Sequence, residues 1–62
     1  MNEPPATFTP IEWRLLARAC EQAAAKERKR AEEIGGRPAR DYLISAEYYE
    51  RLAEQCLRRA RL

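Results

Sequence analysis

The side chains whose chemistry most needs explaining are two cysteines, Cys20 and Cys56, a glutamate, Glu27, and a group of arginines near both ends of the chain. A thiol can bridge to another thiol, hold a metal or attack an electrophile, and each use makes its own demand on spacing. A zinc site takes four ligands at short paired spacings. This chain has no histidine and only these two widely separated cysteines. No metal and no cofactor is therefore expected. Cys20 and Cys56 are a candidate thiol pair, able to bridge only if the fold brings their Cα atoms within about 7 Å. Reduced thiols packed in a core are the expectation for a cytoplasmic chain.

Glu27 is a carboxylate on an otherwise apolar arc, where it is costly unless paired. As a general acid it would need a substrate pocket and a second group, and no histidine or second inward carboxylate completes such a set. Glycine-rich phosphate loops and nucleophile elbows are also missing from the sequence. No catalytic residue is assigned, and the chain is expected not to be an enzyme. Glu27 reads instead as a buried polar residue bonded to the Tyr49 hydroxyl or to an arginine of a second protomer, or else as a partly solvated residue that sets the register.

The formal charge of +2 comes from 12 basic and 10 acidic side chains, too mild a bias to demand a polyanionic partner. Local grouping matters more. Acidic neighbours offset the run from Lys26 to Arg30, whereas Arg58, Arg59 and Arg61 are opposed by few acids. If the chain doubles back, Arg14 and Arg18 join them in a candidate polyanion-binding cluster. Arginines at a helix C-terminus are also favoured by the helix dipole alone.

These residues are positioned by two helices. Thr9 as cap, Pro10 at the first helical position and Glu12 closing a T-x-x-E box give a complete start signal, with Phe8 and Trp13 at the two staple positions. Residues 1–8 precede it as a disordered arm. The helical pattern runs from about 9 to 34, and Gly35, Gly36, Arg37 and Pro38 supply the turn. A second helix spans about 39–61, starting with Pro38 in its first turn or with Asp41 as cap. Pairs four apart, Arg28/Glu32, Lys29/Glu33, Glu47/Arg51 and Glu54/Arg58, mark solvent sides. No stretch approaches the roughly 18 consecutive apolar residues of a membrane span, and the N-terminal residues lack signal-peptide order. The expected location is cytoplasmic, with no membrane partner.

The fold class is therefore all-α, an antiparallel two-helix hairpin. Residues whose numbers add to about 76 lie at one height, which sets Cys20 beside Cys56, Glu27 beside Tyr49, Ala31 beside Ser45 and Ala24 beside Leu52. Small residues would then face large ones. The first helix gathers its apolar residues into an arc one neighbour can cover, whereas the second is apolar over roughly half its circumference or more. At 62 residues, a single core contributes only ~3–5 kcal/mol of net stability. A second copy covering Ile44, Tyr48, Tyr49, Leu52 and Leu57 would complete a four-helix bundle, making a homodimer the expected state. Ile11 and Leu15 point elsewhere and are a candidate docking patch for another protein. The function read from these features is a small non-enzymatic protein–protein interaction module, an adaptor, regulator or assembly factor. The alternative is a nucleic-acid-binding regulator that uses the arginine-rich bundle ends.

Overall fold

The computed structural model describes residues 8–61, which form two 25-residue helices, α1 (Pro10–Ile34) and α2 (Gly36–Ala60), packed antiparallel. Each is ~37 Å long at 1.5 Å per residue. The expected arm at residues 1–8 lies almost wholly outside the described residues.

The start of α1 follows from its first residues. Thr9 stays extended (φ −70°, ψ 161°) and its hydroxyl accepts from the Glu12 backbone N–H at 3.2 Å, while the Glu12 carboxylate accepts from the Thr9 N–H at 2.9 Å. Two of the donors that every helix N-terminus leaves open are thereby satisfied. Phe8 meets Trp13 edge to face, with ring centroids 5.0 Å apart and planes at 82°. The staple fixes how the chain enters the helix.

The reversal is tighter than the sequence suggests. A four-residue turn over 35–38 is expected, but only Gly35 separates the helices, and α2 begins at Gly36 without a side-chain cap. Asp41 does not serve as one. Both glycines have positive φ, Gly35 at φ 65° and ψ 178° and Gly36 at φ 67°. The Gly35 conformation is essentially closed to other residues. Two such steps turn the backbone around at once, leaving Arg37 and Pro38 free to join the first turn of α2. Gly35→Ala is expected to cost about 1–3 kcal/mol, although an added Cβ would touch nothing within 4 Å. The loss would be purely conformational, so a D-alanine at the same position should retain the parent urea midpoint. Equal midpoints for the L and D forms would refute this account.

The core is a seam of small residues. Among the described residues those that are buried are Ala17, Ala24 and Ala31 of α1 and Ala46, Ala53 and Ala60 of α2. Each set repeats every seven residues, and members of the two sets pair at sums of 77. Cys20 and Glu27 alternate with the alanines on α1, as do Tyr42, Tyr49 and Cys56 on α2, all half-buried. This is the heptad pattern of a coiled coil, with alanine at the innermost positions. The expectation that small faces large is corrected here: Ala53, not Leu52, is buried beside Ala24, and Ala46, not Ser45, beside Ala31. Alanine facing alanine lets the axes approach towards the short end of the usual ~8–10 Å range.

Candidate interaction surface

An alanine seam leaves the larger side chains outside it. Ile11, Leu15, Ile44 and Tyr48 are each more than half exposed, and Leu16, Leu43 and Leu57 also remain accessible. Their placement is uneven. The hairpin has two broad faces, and one interaction between helices identifies each.

The first face carries Arg28 and Glu50. The Arg28 guanidinium donates two hydrogen bonds to the Glu50 carboxylate, at 2.7 and 3.2 Å. Arg28 thus reaches across to α2 instead of along α1 to Glu32, because the close helices bring Glu50 within reach. Helical periodicity adds Arg14, Arg18 and Glu21 of α1 and Glu47, Glu54 and Arg61 of α2 to this side. Leu43 and Leu57 lie among these charges. The Glu54–Arg58 pair, at 3.8 Å, also forms along α2.

The second face is marked by Arg59, whose guanidinium carbon sits 5.4 Å from the Trp13 ring centroid. The same periodicity places Leu16, Ala19 and Ala23 of α1 here with Ser45, Tyr48 and Leu52 of α2. Its charged residues fall into two groups, Glu12 and Arg59 near the open end and Lys26, Arg30, Glu33 and Asp41 from mid-helix to the glycine end, with Ala19, Ala23 and Leu52 between them and Tyr48 level with Lys26 and Arg30. An open groove between Ile44, Ser45, Tyr48 and Tyr49 borders this face, and another is lined by Phe8, Glu12, Leu15 and Leu16.

The expected dimer-interface residues are therefore not one surface. Tyr48, Tyr49 and Leu52 lie together with Ile44 at their margin, while Leu57 belongs to the charged face. The five arginines gather at the open end of the hairpin but also divide. Arg59 stacks on Trp13, Arg58 approaches Glu54, and Arg14, Arg18 and Arg61 share the charged face. The stacking on Trp13 carries no signal in one-dimensional spacing.

Two expectations about chemistry meet the geometry differently. Cys20 and Cys56 are unbridged and half-buried on facing positions of the seam. The Cys20 thiol is pushed up, first by burial and then by its neighbour Cys56. Thiolate is disfavoured there, which makes it a poor nucleophile at neutral pH. Glu27 and Tyr49 are half-buried and no hydrogen bond joins them, so within the hairpin the expected bond to the Tyr49 hydroxyl does not form and Glu27 stands as the partly solvated residue of the other reading. The seam at this level opens to solvent, so the carboxylate keeps water and needs no protein partner.

Two other carboxyls are held below the usual glutamate range. Glu50 is lowered by its hydrogen bond from Arg28, and Glu12 by the Thr9 backbone N–H and hydroxyl. A folded value below the unfolded one means stability that is complete above the unfolded value of ~4.3 and disappears as pH falls through the folded value. The urea midpoint should therefore hold from pH 7 to about 5 and decline below that. Glu12→Gln with Glu50→Gln should reduce the decline. An unchanged acid slope would refute the assignment.

No helix among the described residues is long and apolar enough to cross a membrane, and no cluster of candidate metal ligands occurs among them. Compared with protein-family models, curated proteins and solved structures, the chain matches none.

Proposed function

We propose that the chain is a small, non-enzymatic protein–protein interaction module of the cytoplasm, an adaptor, regulator or assembly factor, which works as a homodimeric four-helix bundle. One observation carries this reading. The seam within the hairpin consumes alanines, while Leu16, Ile44 and Tyr48 remain accessible. A surface of that kind is stabilised by association, and a two-fold axis lets one patch serve both subunits. Ile11 and Leu15, at 67% and 58% exposed, lie on the outer side of α1 and would stay free for a further protein.

Sedimentation equilibrium and helical circular dichroism over a wide concentration range test the dimer. The expected result is a dimer whose melting temperature rises with concentration, since folding and association are then linked. A monomer that melts cooperatively at one temperature at every concentration would overturn it.

A second reading, polyanion binding by Arg14, Arg18 and Arg61, draws support from their convergence at one end of one face. It requires affinity for nucleic acid that falls steeply with salt. A protein-contact module requires no such slope.

A further inference from the structure

We propose that Cys20 and Cys56 form a reversible disulfide lock across the seam, closed within one chain by a small-molecule disulfide of the glutathione type and opened again by thiols. The lock belongs to a single hairpin and does not depend on the homodimer proposed above.

Placement in the seam supports it. The two cysteines share one level, between the level of Ala17 with Ala60 and that of Ala24 with Ala53. Those four alanines are at most 7% exposed, so only methyl groups separate the helix backbones on either side of the thiols. Axes ~8–10 Å apart, with Cα atoms ~2.3 Å from each axis, leave facing Cα atoms on the seam roughly 4–6 Å apart, inside the limit of about 7 Å for a bridge. The thiols also act on each other: Cys56 raises the Cys20 thiol as a charge and as a hydrogen-bonding neighbour, and the second effect operates only at short range. Both side chains stay half-buried, which leaves a small disulfide a path to the sulfur atoms. The chain has no other cysteine, so no third thiol competes for the bond.

Closure takes two exchanges. One cysteine thiolate attacks a sulfur of oxidised glutathione, forming a mixed disulfide and releasing one glutathione thiolate. The other cysteine thiolate attacks the cysteine sulfur of that mixed disulfide, forming the Cys20–Cys56 bond and releasing the second glutathione. In sum, two cysteine thiols pass two electrons and two protons to one glutathione disulfide, which becomes two thiols. In a reducing compartment such a bond is transient and follows the ratio of the two glutathione forms.

The bond would tie the helices beyond the midpoint of the hairpin, towards the end that has no covalent turn. Closing the chain from residue 20 to residue 56 raises the folding equilibrium constant by up to about 500-fold when the native geometry accepts the bond without strain. By linkage, folding must then raise the effective concentration of one thiol at the other by the same factor.

That factor is measured on the unaltered full chain, equilibrated with reduced and oxidised glutathione in buffer and again in concentrated urea, quenched with acid and resolved by mass. The expected product has the mass of one chain less two hydrogen atoms. Its effective thiol concentration should be at least about 100-fold higher in buffer than in urea, and the bridged chain should have the higher urea midpoint. Cys20→Ser and Cys56→Ser, confirmed helical by circular dichroism, should each stop at a single glutathione adduct. An effective concentration no higher in the folded chain than in urea, or a bridged chain with the lower midpoint, would show that the fold holds the sulfur atoms apart and overturn the lock. Bonds between two chains in place of the internal one, or adducts on the unaltered chain that never resolve, overturn it as well.

Discussion

Ala53→Leu should lower the stability of this protein by about 1–3 kcal/mol, the usual consequence of forcing extra methylenes into a filled core, and Ala24→Leu with Ala53→Leu should abolish folding. The reason lies in the seam. Ala24 and Ala53 are 3% and 4% exposed at one level of the hairpin, with nothing between the helix backbones but their methyl groups. A leucine at either position must push the helices apart or turn outward into an unfavourable rotamer. Spreading the helices also opens the levels above and below, where Ala17, Ala31, Ala46 and Ala60 are buried, so one substitution disturbs contacts along the whole interface. Against a net stability of ~3–5 kcal/mol for a chain this size, two such losses leave little folded protein at 25 °C. Helix propensity cannot account for the effect, since alanine and leucine differ by only a few tenths of a kcal/mol. Ala25→Leu, on an exposed position of α1, is the control and should be nearly neutral. Urea titration followed by circular dichroism makes the comparison, and an Ala53→Leu midpoint equal to or above that of the parent would remove the close-packed seam from the account.

The same seam explains which parts of the architecture were legible in the residues. Helix ends were legible where chemistry is local: Thr9, Pro10 and Glu12 act within one turn, and their capping box forms as their spacing implies. The start of α2 was not, because Pro38 and Asp41 look like start signals while the reversal is carried by two successive positive-φ glycines. Only backbone angles distinguish a glycine that loosens a chain from one that reverses it. The face of α2 was legible to within one residue. Matching heights at a sum of 76 identified the level of Cys20 and Cys56, but a single-residue offset on a helix is a rotation of 100°. That is enough to exchange Leu52 for Ala53 at the centre of the interface. Hydrophobicity favours the leucine there. Geometry favours the alanine, because the buried alanines of α1 have already set a short interhelix distance.

The candidate site was legible as a composition but not as a surface. Nothing in one-dimensional spacing separates Leu57 from Tyr48 and Leu52 when all three lie on the apolar half of α2. The separation appears only when α1 takes its place and divides that half into two flanks. Arg28 shows the same limit, since its partner is decided by how near Glu50 comes across the hairpin and not by Glu32 four residues along α1. Glu27 shows it from the opposite direction. Its position on the apolar arc suggests burial, but the neighbouring alanines are too short to seal it from water.

The open end of the hairpin should depend on one side chain more than any other, and Trp13→Ala is expected to cost about 2 kcal/mol, below the 3–5 kcal/mol of a fully buried tryptophan because this one is half-buried. No covalent turn holds this end. Trp13 ties three parts of the chain together there: it receives the edge-to-face contact of Phe8 at 5.0 Å, continues the seam from Ala17, and stacks under the Arg59 guanidinium at 5.4 Å. Losing it would release the residues before Pro10 and the last turn of α2 together. Trp13→Phe keeps the ring stacking on Phe8 and much of the apolar area, so it should retain most of the stability. Arg59→Ala removes only the cation over the ring, a contribution of about 0.5–1 kcal/mol at an exposed position. The order expected from urea midpoints is therefore Trp13→Phe least affected, Arg59→Ala next and Trp13→Ala most. Amide hydrogen exchange should show faster opening at both Thr9–Trp13 and Arg58–Arg61 in Trp13→Ala, with the glycine end unchanged. Faster exchange at only one of the two helix ends would mean that the tryptophan does not couple them.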